Sequence, residues 1–396
     1  MSEPSENSTE GLEETDAHVH ADSDAHAVDA TAAIARADAP LAAIVEKSRA
    51  ETALESLRAE GVYDDSRRVR ETEAGNREGT PEKVALPVTE PPSETPVLEI
   101  VRQLEPAFRT RNLDDLLAER GWSDADLERA PGSWAVVGSV VLVSIPEDCP
   151  DETAVAEALL ELHGEADTVL ADEGIENDGA AGTYREPRTR LLAGESDTET
   201  IHTEHGTRYG LDPARVMFSP GNQAERARMG EVCTEGERVF DMFAGIGYFT
   251  LPMARNGAQV TATEINPTAF RYLLENAVLN EVSDRVDAYM ADCRDLAGEI
   301  EADRVVMGYY GSDDGEKSAR AEAAHEFLDD ALEALVPGGV VHYHEATPES
   351  RLWERPEARL ERAVDRAGRS LAYLDRRRVK SHSAGVAHVV VDVRVE

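Results

Sequence analysis

The stretch RVFDMFAGIGYFTLPMARNGAQVTATEINP, residues 238–267, decides the fold. A short apolar run that ends on an acid, Arg238–Asp241, passes into a turn carrying Gly245 and Gly247. A helical segment, Tyr248–Arg255, follows and stops at Asn256-Gly257, and a second apolar run, Val260–Glu264, begins at once. Strand, glycine turn, helix and strand in so few residues describe a βαβ unit. The rhythm continues downstream, with Val286–Met290, Asp303–Gly308 and Gly339–Glu345 reading as strands and Pro267–Leu279 and Glu316–Leu335 as the helices between. Val386–Val395 supplies a closing strand. This alternation predicts an α/β catalytic domain over 216–396, a doubly wound, Rossmann-like parallel sheet with helices on both faces.

Upstream the pattern changes. Residues 1–37 read as a disordered acidic tail, with nine Asp or Glu and no Lys or Arg in the first thirty. His18, His20 and His26 lie there without a fold to fix metal geometry, so no metal site is expected. A small N-terminal module spans 38–95: a helical pattern from Pro40 to Leu57 halts at Gly61, and an apolar piece at Val84–Val88 precedes the Pro-rich Thr89–Pro96. Residues 96–215 mix periods, as an α+β middle domain does. Leu98–Leu117 looks helical, Ser133–Ile145 is β-branched and split by Gly138, and Ala154–Leu162 is an amphipathic helix. Short strand-like pieces follow near Thr168–Leu170, Arg188–Leu192 and Thr198–Thr203.

Forty Lys plus Arg against eighty Asp plus Glu give a net charge of −40, which taken alone argues against a nucleic-acid partner. Arginine outnumbers lysine 36 to 4, however, and the acid runs through folded-looking segments. Such composition suits a halophilic protein in molar salt, where the Debye length is ~3 Å and repulsion from a polyanion is screened. No run of ~18 apolar residues spans a membrane, and Cys149, Cys233 and Cys293 form neither a disulfide framework nor a zinc pair. The expected compartment is the cytoplasm.

In an open parallel sheet, ligands bind beyond the carboxyl ends of the strands. Gly245 and Gly247 permit close backbone approach after the first strand. Glu264 ends the second strand, 23 residues after Asp241, where an acid accepts bonds from ribose hydroxyls. Asp292 follows the third strand, in reach of an adenine amino group. A nicotinamide site needs a third glycine, and Thr250 stands there instead. A nucleoside cofactor without a diphosphate, S-adenosyl-L-methionine, fits the pattern better.

DMFAGIGYFTLPMA (Asp241–Ala254) and TEINPTAFRYLLENAVLN (Thr263–Asn280), with VMFSPGNQAERARM (Val216–Met229) and EPRTRLLAGESDTETIHTEHG (Glu186–Gly206), resemble one tRNA-modifying family. It holds the archaeal and eukaryotic guanosine-37 N1-methyltransferases and the wybutosine-synthesising aminocarboxypropyltransferases. The resemblance covers roughly 97–396, and more weakly 40–90. Methyltransferases of this kind show Gly-Pro-Phe after the first glycines and Asn-Leu-Pro after the fourth strand. This chain has Gly247-Tyr248-Phe249 and Met307-Gly308-Tyr309-Tyr310, with HYHE (His342–Glu345) at the fifth strand, and looks like the other branch. The resemblance therefore implies a class I S-adenosylmethionine-dependent fold. It implies transfer of the 3-amino-3-carboxypropyl arm to C7 of 4-demethylwyosine at position 37, in the anticodon loop of tRNA-Phe, releasing methylthioadenosine.

Carried over by motif, the cofactor contacts are Ser219, Arg226, Glu264, Asp292 and Cys293, and the reading of the first strand end and its glycine turn adds Asp241 and Gly245. No general base stands out; Tyr309 and Tyr310, able to stack on a flipped base, and His342 are the candidate catalytic residues. Arg185, Arg188 and Arg190, and Arg376, Arg377, Arg378 and Lys380, form basic clusters suited to phosphate contacts. Two other readings remain: a guanosine-37 N1-methyltransferase, and a non-catalytic tRNA-binding protein.

Overall fold

The computed structural model describes residues 39–71, 82–104, 106–108, 111–176, 178–309, 323–383 and 385–396. The acidic tail, Tyr310 and the start of the expected Glu316–Leu335 helix lie outside them. The chain divides into two compact units between Arg111 and Asn112.

In the first unit, β1 (Leu41–Glu46), helix α1 (Ala50–Ala59), β2 (Arg70–Glu71), β3 (Lys83–Val88) and β4 (Glu99–Arg102) form an antiparallel sheet in the order β2-β3-β1-β4. The helix expected over Pro40–Leu57 is corrected in its first half, which is β1, while its second half lies in α1. Ala42, Ala43, Ile44 and Val45 are all buried, because β1 is flanked by β3 and β4. Consecutive apolar residues in a strand covered on both faces mimic a helical stripe. The expected Leu98–Leu117 helix is likewise corrected: its first part is β4, paired with β1, so the sheet continues past the Pro-rich stretch. Helix α2 (Leu113–Glu119) starts only at Asn112, which forms a capping box with Asp115.

The second unit holds two larger sheets. Strands β5 (Trp134–Val137) and β6 (Val140–Val143) turn at Gly138, whose φ of 58 suits a tight hairpin. Helix α3 (Glu152–Leu162) crosses to β7 (Thr168–Ile175), and the short helix α4 (Gly179–Thr183) leads to β8 (Pro187–Gly194). The four strands lie in sequence order, with only β6 and β7 parallel. A hairpin, β9 (Thr200–Glu204) and β10 (Thr207–Leu211), follows, and then helix α5 (Gln223–Val232).

The seven-stranded sheet contains β11 (Arg238–Asp241), β12 (Gln259–Thr263), β13 (Val286–Tyr289), β14 (Ala302–Met307), β15 (Leu335–Pro348), β16 (Leu371–Ser383) and β17 (Val386–Val395). Their order is β13-β12-β11-β14-β15-β17-β16, the first five parallel and β17 antiparallel between β15 and β16. Helices α6 (Thr250–Arg255), α7 (Pro267–Leu279), α8 (Leu328–Ala334) and α9 (Glu354–Arg366) cover its faces. Neighbouring strand residues serve opposite cores: Val239 and Val306 pack with Leu251 and Leu273, whereas Phe240 and Val305 pack with Leu328 and Leu360. The strand order reverses between β11 and β14, and that switch point positions the site.

Candidate active site

A cavity of about 230 Å³ opens at this point, between the tips of β11, β12 and β14 and the segment before α5. It brings together Ser219, Arg226, Gly245, Glu264, Asp292, Cys293 and Tyr309 from the expected set.

Glu264 is its most constrained acid. One carboxylate oxygen accepts from the Gly245 amide at 2.8 Å and the other from the Asn266 amide at 2.7 Å. Burial, with Asp241 nearby, pushes its carboxyl up to about 7 against those two bonds. Each oxygen keeps a lone pair for a further donor, and the residue lines the cavity. Two vicinal hydroxyls of a ribose match that acceptor pair. Asn266 holds this corner rigid, its side chain capping α7 at the Thr268 amide, 2.8 Å away.

Asp241 is a correction. It is fully buried and does not line the cavity, because its side chain turns back to Thr250, whose hydroxyl donates to it at 2.7 Å. Burial pushes its carboxyl up to about 6, and Oδ1 has no hydrogen-bond partner. Its place is beneath the glycine turn, outside the cavity lining. That turn is shaped for Tyr248: a Cβ at Gly245, whose φ is 56, would stand 2.2 Å from the tyrosine ring. Only glycine fits there.

At the other acid, Asp292, Arg294 donates to both oxygens and holds the carboxyl below its usual range. Beside it the buried Cys293 thiol is pushed well up by desolvation, which leaves it un-ionised. Arg226 reaches the cavity with much of its donor set committed: it grips the Glu204 carboxylate at 2.6 and 2.7 Å, donates to the Ser219 carbonyl at 2.9 Å, and lies over the Phe218 ring.

The remaining wall is aromatic. Phe243 and Tyr309 stack with centroids 5.1 Å apart, and Phe327 meets Phe243 edge-on at 5.0 Å. Arg185, at a φ of 53 just after α4, lays its guanidinium over Tyr309 at 5.3 Å. Gly308 makes room for this tip, since a Cβ there would stand 2.5 Å from the Phe249 ring.

His342 is a second correction. It is buried on β15 away from the cavity, with Nδ1 2.7 Å from Asp392 and Nε2 against Arg304. Both ring nitrogens are engaged inside the sheet. The rest of HYHE is also internal: His344 meets His388 at 3.1 Å, and Tyr343 donates to Glu345. The second basic cluster is similarly spent, Arg376 on Glu357, Arg377 on Glu225 and Asp392, and Arg378 on Glu349. Arg190 pairs with Glu152 and Glu173. Among the described residues no group of His, Cys, Asp and Glu could hold a metal ion, and no helix is long and apolar enough to cross a membrane.

Phe243, Phe327, Asn266 and Glu204 escaped the sequence reading. Asn266-Pro267 after a strand is a legible helix start; the others meet only through the fold.

Comparison with known proteins agrees with this fold. The TRM5/TYW2 methyltransferase domain matches residues 200–372, and the TYW2 N-terminal domain matches 113–198. A tRNA(Phe) (4-demethylwyosine(37)-C(7)) aminocarboxypropyltransferase of Pyrococcus horikoshii is 40% identical, over 67% of this chain and 90% of its own. The crystal structure of P. horikoshii TYW2 in complex with MeSAdo is 36% identical, with a TM-score of 0.59 over 70% of this chain and 96% of that one. The structure of Trm5b from Pyrococcus abyssi is 30% identical, with a TM-score of 0.65 over 90% and 99%. The chain belongs to the TRM5/TYW2 family, and it carries the TYW2 N-terminal domain ahead of the shared catalytic domain.

Proposed function

We infer that this enzyme transfers the 3-amino-3-carboxypropyl group of S-adenosyl-L-methionine to C7 of 4-demethylwyosine at position 37 of tRNA-Phe, releasing methylthioadenosine. The observation that carries the reading is one cavity holding both a ribose-matched Glu264 and a stacked Phe243–Tyr309 wall. The 40% identity to an enzyme of that name supports it. A tRNA substrate implies the cytoplasm as the working compartment.

The sulfonium of the cofactor offers three electrophilic carbons, and the one held in line with the nucleophile is transferred. The protein's part is orientation. Glu264 fixes the nucleoside end, Ser219 lines the same cavity as a hydroxyl for the amino-acid arm, and the aromatic wall offers a flat surface to a tricyclic base. With an activated cofactor, positioning supplies most of what the site must contribute. As C7 bonds to the γ-carbon of the arm, the carbon–sulfur bond breaks, the electron pair leaves with methylthioadenosine, and the C7 proton passes to solvent.

Two labelled cofactors test the reading, one with carbon-14 in the methyl group and one with it in the carboxyl. Counts entering wyosine-precursor tRNA only from the carboxyl label are expected. Methyl counts, with S-adenosylhomocysteine released, would instead establish guanosine-37 N1-methylation.

A further inference from the structure

Of the four lysines in the sequence, Lys380 on β16 lies against the cavity wall. Side chains alternate along a strand, so Arg377 and Lys380, three apart, belong on opposite faces. The β16–β17 register shifts between Arg378 and Lys380, and that bulge returns Lys380 to the side from which Arg377 reaches α5. Its stem crosses the turn before α5 so closely that a Cβ at Gly221 would stand 3.2 Å from its Cδ. Its Nζ then meets Ser219 Oγ at 2.5 Å.

An ammonium only donates, so the Ser219 hydroxyl is the acceptor in that bond and its own proton is left for another partner. Ser219 lines the cavity. Arg226, which donates to the Ser219 carbonyl, has its charge met by the doubly bonded Glu204.

We propose that Lys380 is a positioning residue for the amino-acid arm of the cofactor: by donating to Ser219 Oγ it directs the hydroxyl proton into the cavity, as a polarised donor to the arm's carboxylate. The proposal rests on the S-adenosylmethionine reading above. It also accounts for a lysine where arginine is the rule, because a single compact donor on a thin stem passes over Gly221.

The test is calorimetric titration of the full chain with two ligands, S-adenosylmethionine and methylthioadenosine, which has the nucleoside without the amino-acid arm. Lys380→Met should weaken S-adenosylmethionine roughly tenfold, the scale of one charge-assisted hydrogen bond, and leave methylthioadenosine within about twofold by the same argument. Ser219→Ala should show the same selectivity, and adding Lys380→Met to it should cost little more. Unchanged S-adenosylmethionine affinity in Lys380→Met, or equal losses for both ligands, overturns the proposal. A wild-type chain that binds neither ligand fails earlier, at the cofactor reading itself.

Discussion

Glu264 shows how a single carboxylate is tuned by where its strand ends. Burial raises it to about 7 while two backbone amides hold its oxygens in place. Ribose hydroxyls donate, so the ionised form is the one that binds. Affinity for S-adenosylmethionine should therefore be flat above neutrality and fall as pH drops through about 7, by about tenfold at one unit below. Glu264→Ala should lose about 3 kcal/mol or more of binding, from two charge-assisted bonds, and Glu264→Gln should abolish the pH dependence. Titration between pH 5.5 and 8.5 reads both; a flat wild-type profile would remove Glu264 from the ribose. This residue was legible because its spacing from the glycine turn is set by backbone geometry. Asp241 was not, since sequence places a carboxylate at a strand tip but does not say that Thr250 turns it inward. His342 misled for a related reason: a polar residue among strand apolars signals either a site or a buried ion network, and only the partner strand, bearing Asp392, decides.

Among the elements, β16 was not marked as a strand from sequence, and it braces the wall of the site. Its run of charged residues hides the strand period, because its inward cations are neutralised by residues distant in sequence. Arg377 bonds Glu225 of α5 at 2.7 Å and Asp392 of β17 at 2.6 Å, and Arg228 reaches Asp392 and Asp375. Burial opposes ionisation of Glu225 and Asp392, yet Arg377, with His342 at Asp392, holds both below the ordinary carboxylate range. Depressed values stabilise the fold above the unfolded pKa of ~4, and that stabilisation is lost as pH falls through the folded values. Arg377→Met takes the guanidinium from the buried Glu225 and leaves Asp392 to His342 and the longer Arg228 contact, and should cost about 3–5 kcal/mol in urea unfolding at neutral pH. A loss below ~1 kcal/mol would show the network to be solvated and of surface-pair strength. The central strands and helices α6 and α7 were readable by contrast, because their apolar residues follow a strand or helix period, whereas the charge-rich α9 was not marked from sequence. The first halves of the Pro40–Leu57 and Leu98–Leu117 segments were not, since their strands owe their pairing to one another.

At the scale of the whole molecule, charge sets the working conditions. With 80 acids and 40 Lys plus Arg, one-to-one pairing of every cation still leaves half of the carboxylates uncompensated. Screening therefore acts in two directions. It weakens exposed pairs such as Arg366–Asp329 and Arg238–Glu301, each worth at most ~1 kcal/mol, and it relieves repulsion among the surplus acids. Buried pairs such as Arg226–Glu204 are screened far less. Relief should prevail, so the Tm should rise as KCl goes from about 0.1 M to about 2 M, where the Debye length drops from ~10 Å to below ~3 Å. Binding of tRNA should follow the same rule. A basic protein loses affinity steadily with salt as counterions re-condense on the phosphates. This chain first has to escape its own field, so its tRNA affinity should climb from low salt to a maximum before local phosphate contacts begin to weaken. Calorimetry for Tm and filter binding for tRNA, over one KCl series, measure both. A Tm that falls throughout, or an affinity that declines monotonically from the lowest salt, would mean that the surplus carboxylates do not govern the molecule and that its acidic composition is no adaptation to molar salt.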